Sequence, residues 1–449
     1  MKNKMISLLS LFCTLTCLTA CGTAAAPGFE AASAAGTGAG TADVSGKTVS
    51  PLWVSSGSAR SKTIVLSDIH LGVDDTFSED VSNKPLLIEF LRRMEKTADI
   101  KEVVIAGDFL DEWYLPMNYP SYSDSDAFYR KSVSNNQAVF DELNRVMKAG
   151  IRLVYVPGNH DMLLSSGILD EALPGIVQAR DAKGLGVYYT GTNQNVAIEH
   201  GHRYDVFSAP DSLSNRAICG ENTLLPPGYF YARYAASWVT EGRPSVQKNY
   251  PVISTVPDKT DTDQYDAYLY YYVLNAEFNR MTPQEASDEK TFHMAIDGYR
   301  ADYSVDDLFP VLRKDGTISA PVLYRNFQRT WDARQKENLV SVPVDFASSA
   351  SGATGYAFLE SQAKAQYLEN SGKKIDVVIF GHDHIPQYLK TDSGKYYINT
   401  GTWVDNNTSC KDKTSRTFAV ITSGDETSAA LYSYGENGTV DDISDTMIR

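Results

Sequence analysis

The 449-residue chain is short of cysteine. Of five, Cys13 and Cys17 sit in the leading segment, Cys21 follows at once, and only Cys219 and Cys410 lie further on. A metal cluster held by thiolates is thereby excluded. In an exported protein the last two could pair as a disulfide or stand as separate buried thiols, and their separation along the chain leaves both open. Positive charge is short as well. Forty-one Lys and Arg face 56 Asp and Glu, for a formal net charge of −15. That balance argues against a nucleic-acid-binding surface and against a nucleic-acid polymer as partner. It does not forbid a small anionic substrate, because a local cation reverses the field at a site. Long apolar runs are missing too: the one candidate, Ile6 to Leu18, is too short to span a bilayer comfortably. No internal repeat is evident.

Histidine is scarce, with seven in the chain. Six of them (His70, His160, His200, His202, His382, His384) fall in four of five short polar stretches. The five are Ser67-Asp68-Ile69-His70, Gly107-Asp108-Phe109-Leu110-Asp111, Val156-Pro157-Gly158-Asn159-His160-Asp161, Glu199-His200-Gly201-His202 and Gly381-His382-Asp383-His384. A lone histidine is usually a hydrogen-bonded core residue, but packing does not explain this concentration. Each stretch follows a β-like run, and α/β proteins place ligands at the carboxyl ends of strands.

Lys2 and Lys4 precede the apolar run of residues 6 to 18, the pattern of an export signal over residues 1–20. It ends in Leu18-Thr19-Ala20-Cys21-Gly22, which resembles the lipobox of bacterial lipoproteins. That resemblance implies a lipid on Cys21 and an exported protein anchored to a bacterial membrane without spanning it. Residues 21–60, rich in Ala, Gly, Ser and Thr, read as a flexible tether. Strands are expected at Lys62–Leu66, Glu102–Ala106 and Ile151–Val156, with helices at Pro85–Met94 and Ser134–Ala149 between them. This alternation argues a parallel layer flanked by helices. Further strands are expected at 186–190, 196–199, 375–380, 396–399, 418–422 and 429–434, and a helix at 355–369. Between 206 and 350 the alternation gives way to aromatic clusters and scattered prolines, which read as an inserted, largely helical lid or cap. The core would then be residues 61–205 and 351–449.

Carboxylate, amide and imidazole donors without thiolates suit Mn, Fe or Zn. Two such ions can share a hydroxide and clamp the oxygens of a phosphoryl group. Any one of the five stretches is a weak signal; all five in order are a strong one. Together, D-x-H, G-D-x-x-D, G-N-H-D, H and G-H-x-H resemble the calcineurin-like metallophosphoesterase superfamily over roughly residues 62–205 and 351–405. Gly107–Trp113, His200–Asp205 and Asn399–Val404 are most similar to its UDP-2,3-diacylglucosamine pyrophosphatase branch. That branch has arginine where this chain has His160 and lacks so long an insertion, so its lipid substrate is not implied.

The resemblance implies a four-layer α/β/β/α sandwich and two metal ions. Asp68, His70, Asp108 and His384 would hold the first ion, and Asp108, Asn159, His200 and His382 the second. It further implies hydrolysis of phosphate esters or diphosphates by a hydroxide between the metals, with His160 as general acid and Asp111 orienting it. The expected substrate is small and exported: a nucleotide, a sugar nucleotide or a lipid headgroup. Arg203 is a candidate for a substrate phosphate, with a surface salt bridge as the alternative. His202 reads as a residue behind the ligands. Asp161 and Asp383 would orient histidines or satisfy turn amides. The competing class is a surface lipoprotein that binds without turnover, against which the complete ligand set and His160 both count.

Overall fold

The computed structural model describes residues 51–53, 59–119, 122, 124–220, 223–243, 252–280, 287–296, 299–353, 355–370, 372 and 374–447. The export signal, Cys21 and nearly all of the tether lie outside them. The chain runs β1 (Lys62–Leu66), α1 (Lys84–Glu95), β2 (Ile100–Ala106), α2 (Ser125–Asn135), α3 (Gln137–Lys148) and β3 (Arg152–Val156). It continues with α4 (Ser166–Ala172), β4 (Val177–Gln178), β5 (Tyr188–Thr190) and β6 (Val196–Ile198). After an intervening segment come α10 (Tyr356–Ala363), β11 (Val377–Phe380), β12 (Gln387–Lys390), β13 (Tyr396–Asn399), β14 (Thr417–Thr422), β15 (Ser428–Tyr434) and β16 (Val440–Asp442).

The strands form two sheets, β16-β15-β14-β1-β2-β3-β4 and β12-β13-β11-β6-β5. In the first, β1 to β4 run parallel, with β14, β15 and β16 antiparallel on one side only. In the second, β6, β11 and β13 run parallel between the antiparallel edges β5 and β12. Period-two alternation assigns the faces. Val65, Val104, Ala106, Val154 and Val156 point one way and meet Val196, Ile198, Val377, Ile379 and Ile398 of the second sheet. Their neighbours Ile64, Leu66, Val103, Ile105 and Leu153 point the other way, onto Leu87, Phe90 and Leu91 of α1 and Phe140, Leu143 and Val146 of α3. On the far side of the second sheet, Ala197, Val378, Phe380 and Tyr397 pack against Leu359 and Ala363 of α10. The layers are therefore α/β/β/α, as expected.

Two helices differ from the expectation. Residues 134–149 are not one helix, because the chain breaks at Asn136 between α2 and α3. The Asn136 amide donates to the carbonyls of Ser132 (2.8 Å) and Gly72 (2.9 Å), so a side chain competes for helix acceptors there. After Ala363 the last turn of α10 widens into a π-turn over Lys364–Leu368.

Residues 206–350 are described over α5 (Arg216–Cys219), α6 (Pro227–Thr240), α7 (Thr262–Arg280), α8 (Phe327–Glu337) and the start of α9 (Phe346–Gly352). Two short hairpins join them, β7 (Phe292–Ile296) with β8 (Tyr299–Tyr303) and β9 (Val311–Leu312) with β10 (Ile318–Ser319). Most of the aromatics are core: Phe230, Tyr234, Tyr270, Phe278, Tyr324, Phe327 and Trp331 are buried together, in one cluster with Trp113 and Met162 of the ligand-bearing loops. The two ends of the segment meet at Ser349, whose hydroxyl donates to the Tyr204 carbonyl (2.8 Å) and accepts from the Val206 amide (2.9 Å). Cys219 and Cys410 are separate buried thiols.

Arg334 anchors the root of this segment. Fully buried, it donates to the carbonyls of Val206 (3.0 Å) and Ala209 (2.8 Å) and faces Asp211 at 3.4 Å. Its guanidinium lies over the rings of Phe327 and Trp331. Arg334→Met is expected to cost about 3–5 kcal/mol, because Asp211 loses the buried cation facing it and keeps only the amides of Leu213 and Ser214. Urea denaturation checks this, and adding Asp211→Asn is expected to restore part of the loss.

Candidate metal centre

Four of the five stretches offer their first polar ligand type two residues beyond a strand end: Asp68 after β1, Asp108 after β2, His200 after β6 and His382 after β11. Asn159 follows β3 by three. The turns that aim them are tight. Asp68, His70, Asp108, His382 and His384 all have positive φ, between 50° and 79°. An L-residue adopts this left-handed conformation at roughly 1–2 kcal/mol each. The glycines beside them serve close approach. A Cβ at Gly107 would strike the His200 ring, one at Gly158 the Asp108 carboxylate, and one at Gly381 the side chains of Ser67 and Asp68.

The result is a buried knot of donors. Ligand-type atoms of Asp68, His70, Asp108 and His384 all lie within 4.8 Å of one another. His70 Nε2 and His384 Nε2 are 3.0 Å apart, and His384 Nε2 is 3.2 Å from Asp68 Oδ1. Beside them His200 Nε2 lies 3.0 Å from Asn159 Oδ1 and 3.3 Å from Asp108 Oδ2. The His200 Nδ1 is occupied by the Ala106 carbonyl at 2.9 Å. A histidine ligand commonly ties its other nitrogen to a carbonyl in this way. The His382 ring is 5.2 Å from that of His200, with Nε2 at 3.4 Å from Asp205. Asp108 Oδ2 approaches both His70 (3.6 Å) and His200.

A second close group is His70, Asp111 and His160. Here Asp111 is an orienting acceptor. Its Oδ2 takes His70 Nδ1 (2.8 Å), and its Oδ1 takes His160 Nδ1 (3.0 Å) and the amides of Trp113 (2.7 Å) and Tyr114 (2.8 Å). One carboxylate thus fixes two imidazoles and caps its own turn. The His160 ring is bounded by His70 edge-on at 4.7 Å and by Trp113 at 4.6 Å, tilted 34°.

The electrostatics follow from this crowding. Burial pushes Asp108 up, but His200, His160 and His70 more than reverse it and hold it well below the carboxylate range. Asp68 is likewise depressed against the cost of burial, by His200 and His384. Burial pulls His200 down, yet Asp108 and Asp68 push it up to about 10. His160 is raised against burial by Asp111 and Asp108. Asp68 and Asp108 are thus held toward the charged form, and His200, His160 and His70 toward the protonated one. Buried carboxylates, imidazoles and an amide oxygen balanced in this way are the donor set of a divalent cation.

The other expected residues fall elsewhere. Arg203 is not on the surface. It is buried, pairs with Glu199 and Asp181 at 2.7 Å each, and donates to the Asn338 carbonyl. Its charge is committed to these partners, so Arg203 forms a buried ion pair and is neither a surface salt bridge nor free for a substrate phosphate. His202 ties Nε2 to the Gly184 carbonyl (3.1 Å), and burial together with His200 and His382 drives it well below the usual histidine range. Asp161 accepts from the amides of Gly158 and Phe109, and Asp383 from the Ile385 amide and Asn399. Both therefore satisfy turns. Sequence reasoning missed Trp113 against His160, although Trp113 stands in the Gly107–Trp113 stretch. It also missed Asn407, whose amide holds the His384 carbonyl at 2.8 Å and carries no motif.

Residues 61–238 match the calcineurin-like phosphoesterase family. No curated protein matches the chain. Among solved structures, a dimetal phosphatase from Danio rerio is similar at 11% identity and a TM-score of 0.31, over 86% of this chain and 96% of that one. A phosphopantetheinyl hydrolase from Mycobacterium tuberculosis is similar at 13% identity and a TM-score of 0.26, over 77% and 91%. Likenesses this faint transfer nothing. The family match and the buried His/Asp cluster together support a metal-dependent phosphoesterase.

A cation seated against His200 must displace a proton, since without metal that ring is protonated at neutral pH. Metal addition at pH 7 is therefore expected to release about one proton as the ion against His200 binds, and affinity there to fall as pH falls. Calorimetry in buffers of different ionisation enthalpy counts the protons, and a count of zero removes His200 from the ligand set.

Proposed function

We propose that the chain hydrolyses phosphate esters or diphosphates of small exported molecules such as nucleotides, sugar nucleotides or lipid headgroups. Asp68, His70, Asp108 and His384 hold one ion in this reading, and Asp108, Asn159, His200 and His382 a second, each Mn, Fe or Zn. When bound, the pair supplies Lewis acidity to the phosphoryl oxygens and makes water nucleophilic at neutral pH. The chain's own residues do the rest. With Nδ1 engaged by Asp111, Nε2 is the ring nitrogen of His160 left to protonate the departing oxygen. The pairing of an oriented His160 with the converging carboxylates and imidazoles is the observation that carries this reading. The likeness of Gly107–Trp113 and Asn399–Val404 to the UDP-2,3-diacylglucosamine pyrophosphatase branch supports a diphosphate among the candidate bonds.

Residues 206–350 form a lid or cap on a core of residues 61–205 and 351–449 in this proposal, because the segment leaves after His200 and returns before His382. Residues 1–20 direct export and a lipid on Cys21 anchors the protein to a bacterial membrane, reached through the tether of residues 21–60.

p-Nitrophenyl phosphate and bis-p-nitrophenyl phosphate should be turned over with added Mn²⁺ and not with chelator. No metal-dependent turnover of any ester in a broad panel would favour a binding role. His160→Ala is expected to keep both metals and to lose about 10²–10⁴-fold on esters with poor leaving groups, with a much smaller loss on p-nitrophenyl phosphate. Equal losses on both would remove the general acid. Cys21→Ser is expected to move the protein from the membrane fraction to the soluble one, checked by fractionation of expressing cells.

A further inference from the structure

We propose that α6 positions His160 through the indole of Trp113, so that the 206–350 segment takes part in the reaction by holding the proton donor. The inference rests on the reading of His160 as that donor.

A ring tethered at one nitrogen can still swing about its tether. Asp111 holds His160 only at Nδ1, and the ring's orientation is otherwise set by its two aromatic neighbours, His70 and Trp113. His70 is itself fixed by Asp111. Trp113 has its backbone pinned, with its amide on Asp111 Oδ1 at 2.7 Å, but its side chain has no such anchor. The indole Nε1 is buried without a hydrogen-bond partner among the described residues. A buried indole N–H normally finds one. Packing therefore sets this ring, and α6 does the packing.

Gly228 is in the first turn of α6, and a Cβ there would lie 2.9 Å from Trp113 Cζ3 and 2.9 Å from the Phe207 carbonyl. Its φ is not in the left-handed region, so the backbone has no need of glycine. In a helix glycine costs about 1 kcal/mol relative to alanine. What the glycine provides is close approach of the helix both to the indole and to the Phe207 carbonyl, which accepts from the Gly228 amide at 2.9 Å. Tyr229 meets the same indole edge-to-face at 6.3 Å.

The rest of that helix face is spent on the same loop. Arg233 donates to the Tyr229 hydroxyl and the Pro116 carbonyl, each at 2.9 Å. Ser237 accepts from the Met117 amide at 2.7 Å. Residues 229, 233 and 237 recur every four positions, so one stripe of α6 grips the loop that carries Trp113.

The test uses the full-length, metal-loaded protein with p-nitrophenyl phosphate and phenyl phosphate, which differ in leaving-group basicity. Gly228→Ala pushes the indole and is expected to lower kcat/KM about tenfold or more on phenyl phosphate while changing the p-nitrophenyl rate much less. Metal content should be unchanged. Trp113→Phe, which withdraws part of the indole without forcing anything aside, is expected to lower the same ratio of the two rates and covers the case in which Gly228→Ala does not fold. If His160→Ala lowers that ratio and neither of these variants does, the inference is wrong and the reading of His160 stands. A loss equal on both esters, or a loss of metal, also overturns it, because the helix then supports the fold or the ligands. If His160→Ala itself leaves the ratio unchanged, the donor reading fails first.

Discussion

Buried carboxylates with no room to be anything but charged govern this molecule. Asp68 and Asp108 have essentially no exposed surface, and each lies against several imidazoles. Burying an ion costs several kcal/mol unless compensation is close and well aimed. Neighbouring imidazoles, His200 above all, supply part of it, and a divalent cation would supply more. The centre is thus poised between two ways of balancing one negative charge density. That is the condition for metal binding coupled to proton release.

The backbone bears the cost of assembling it. Five ligand-type residues in left-handed turns would together cost several kcal/mol by the usual estimate, and they persist only where the surroundings overdetermine them. Here the surroundings are the strand ends of each sheet, whose neighbouring loops are tied to one another by hydrogen bonds. Asp68 N meets the Gly107 carbonyl, Ile69 N the Asp108 carbonyl, and Gly381 N the His200 carbonyl. Asp161 and Asp383 belong to the same system, since each satisfies turn amides that would otherwise be buried without partners. The sandwich is rigid where the chemistry requires fixed positions.

Much of this was legible in the residues. Val65, Val104 and Val154 alternate with Ile64, Val103 and Leu153, so period two alone distinguishes the inter-sheet face from the helix face. Glycine before Asp108, Asn159 and His382 marks where ligands meet tightly packed chain. The break at Asn136 was not legible, because it depends on an amide reaching Gly72, a contact made only in three dimensions. Nor was the fate of Arg203, whose partner Asp181 lies on a loop with no motif. The arginine follows a ligand stretch and looks available for substrate until burial commits it. The strand pairs β7 with β8 and β9 with β10 are illegible for another reason: aromatic density serves strands as well as a helical core.

The 206–350 segment raises a last physical question, namely how a long excursion between His200 and His382 leaves their separation undisturbed. Closing a longer loop costs entropy only as the logarithm of its length, so size is not the difficulty. The difficulty is mechanical, because motion of the segment would pull on ligand loops at both ends. The chain answers it at the root. Ser349 joins Tyr204 to Val206 across the neck, and Arg334 grips the carbonyls of Val206 and Ala209. Asp205, between them, faces His382 at 3.4 Å. The neck is therefore continuous with the metal centre, and the stiffness that protects the ligands also gives α6 a fixed base from which to press on Trp113. A loosely hinged lid would have no such base, and it would bury no aromatic core in common with Trp113 and Met162.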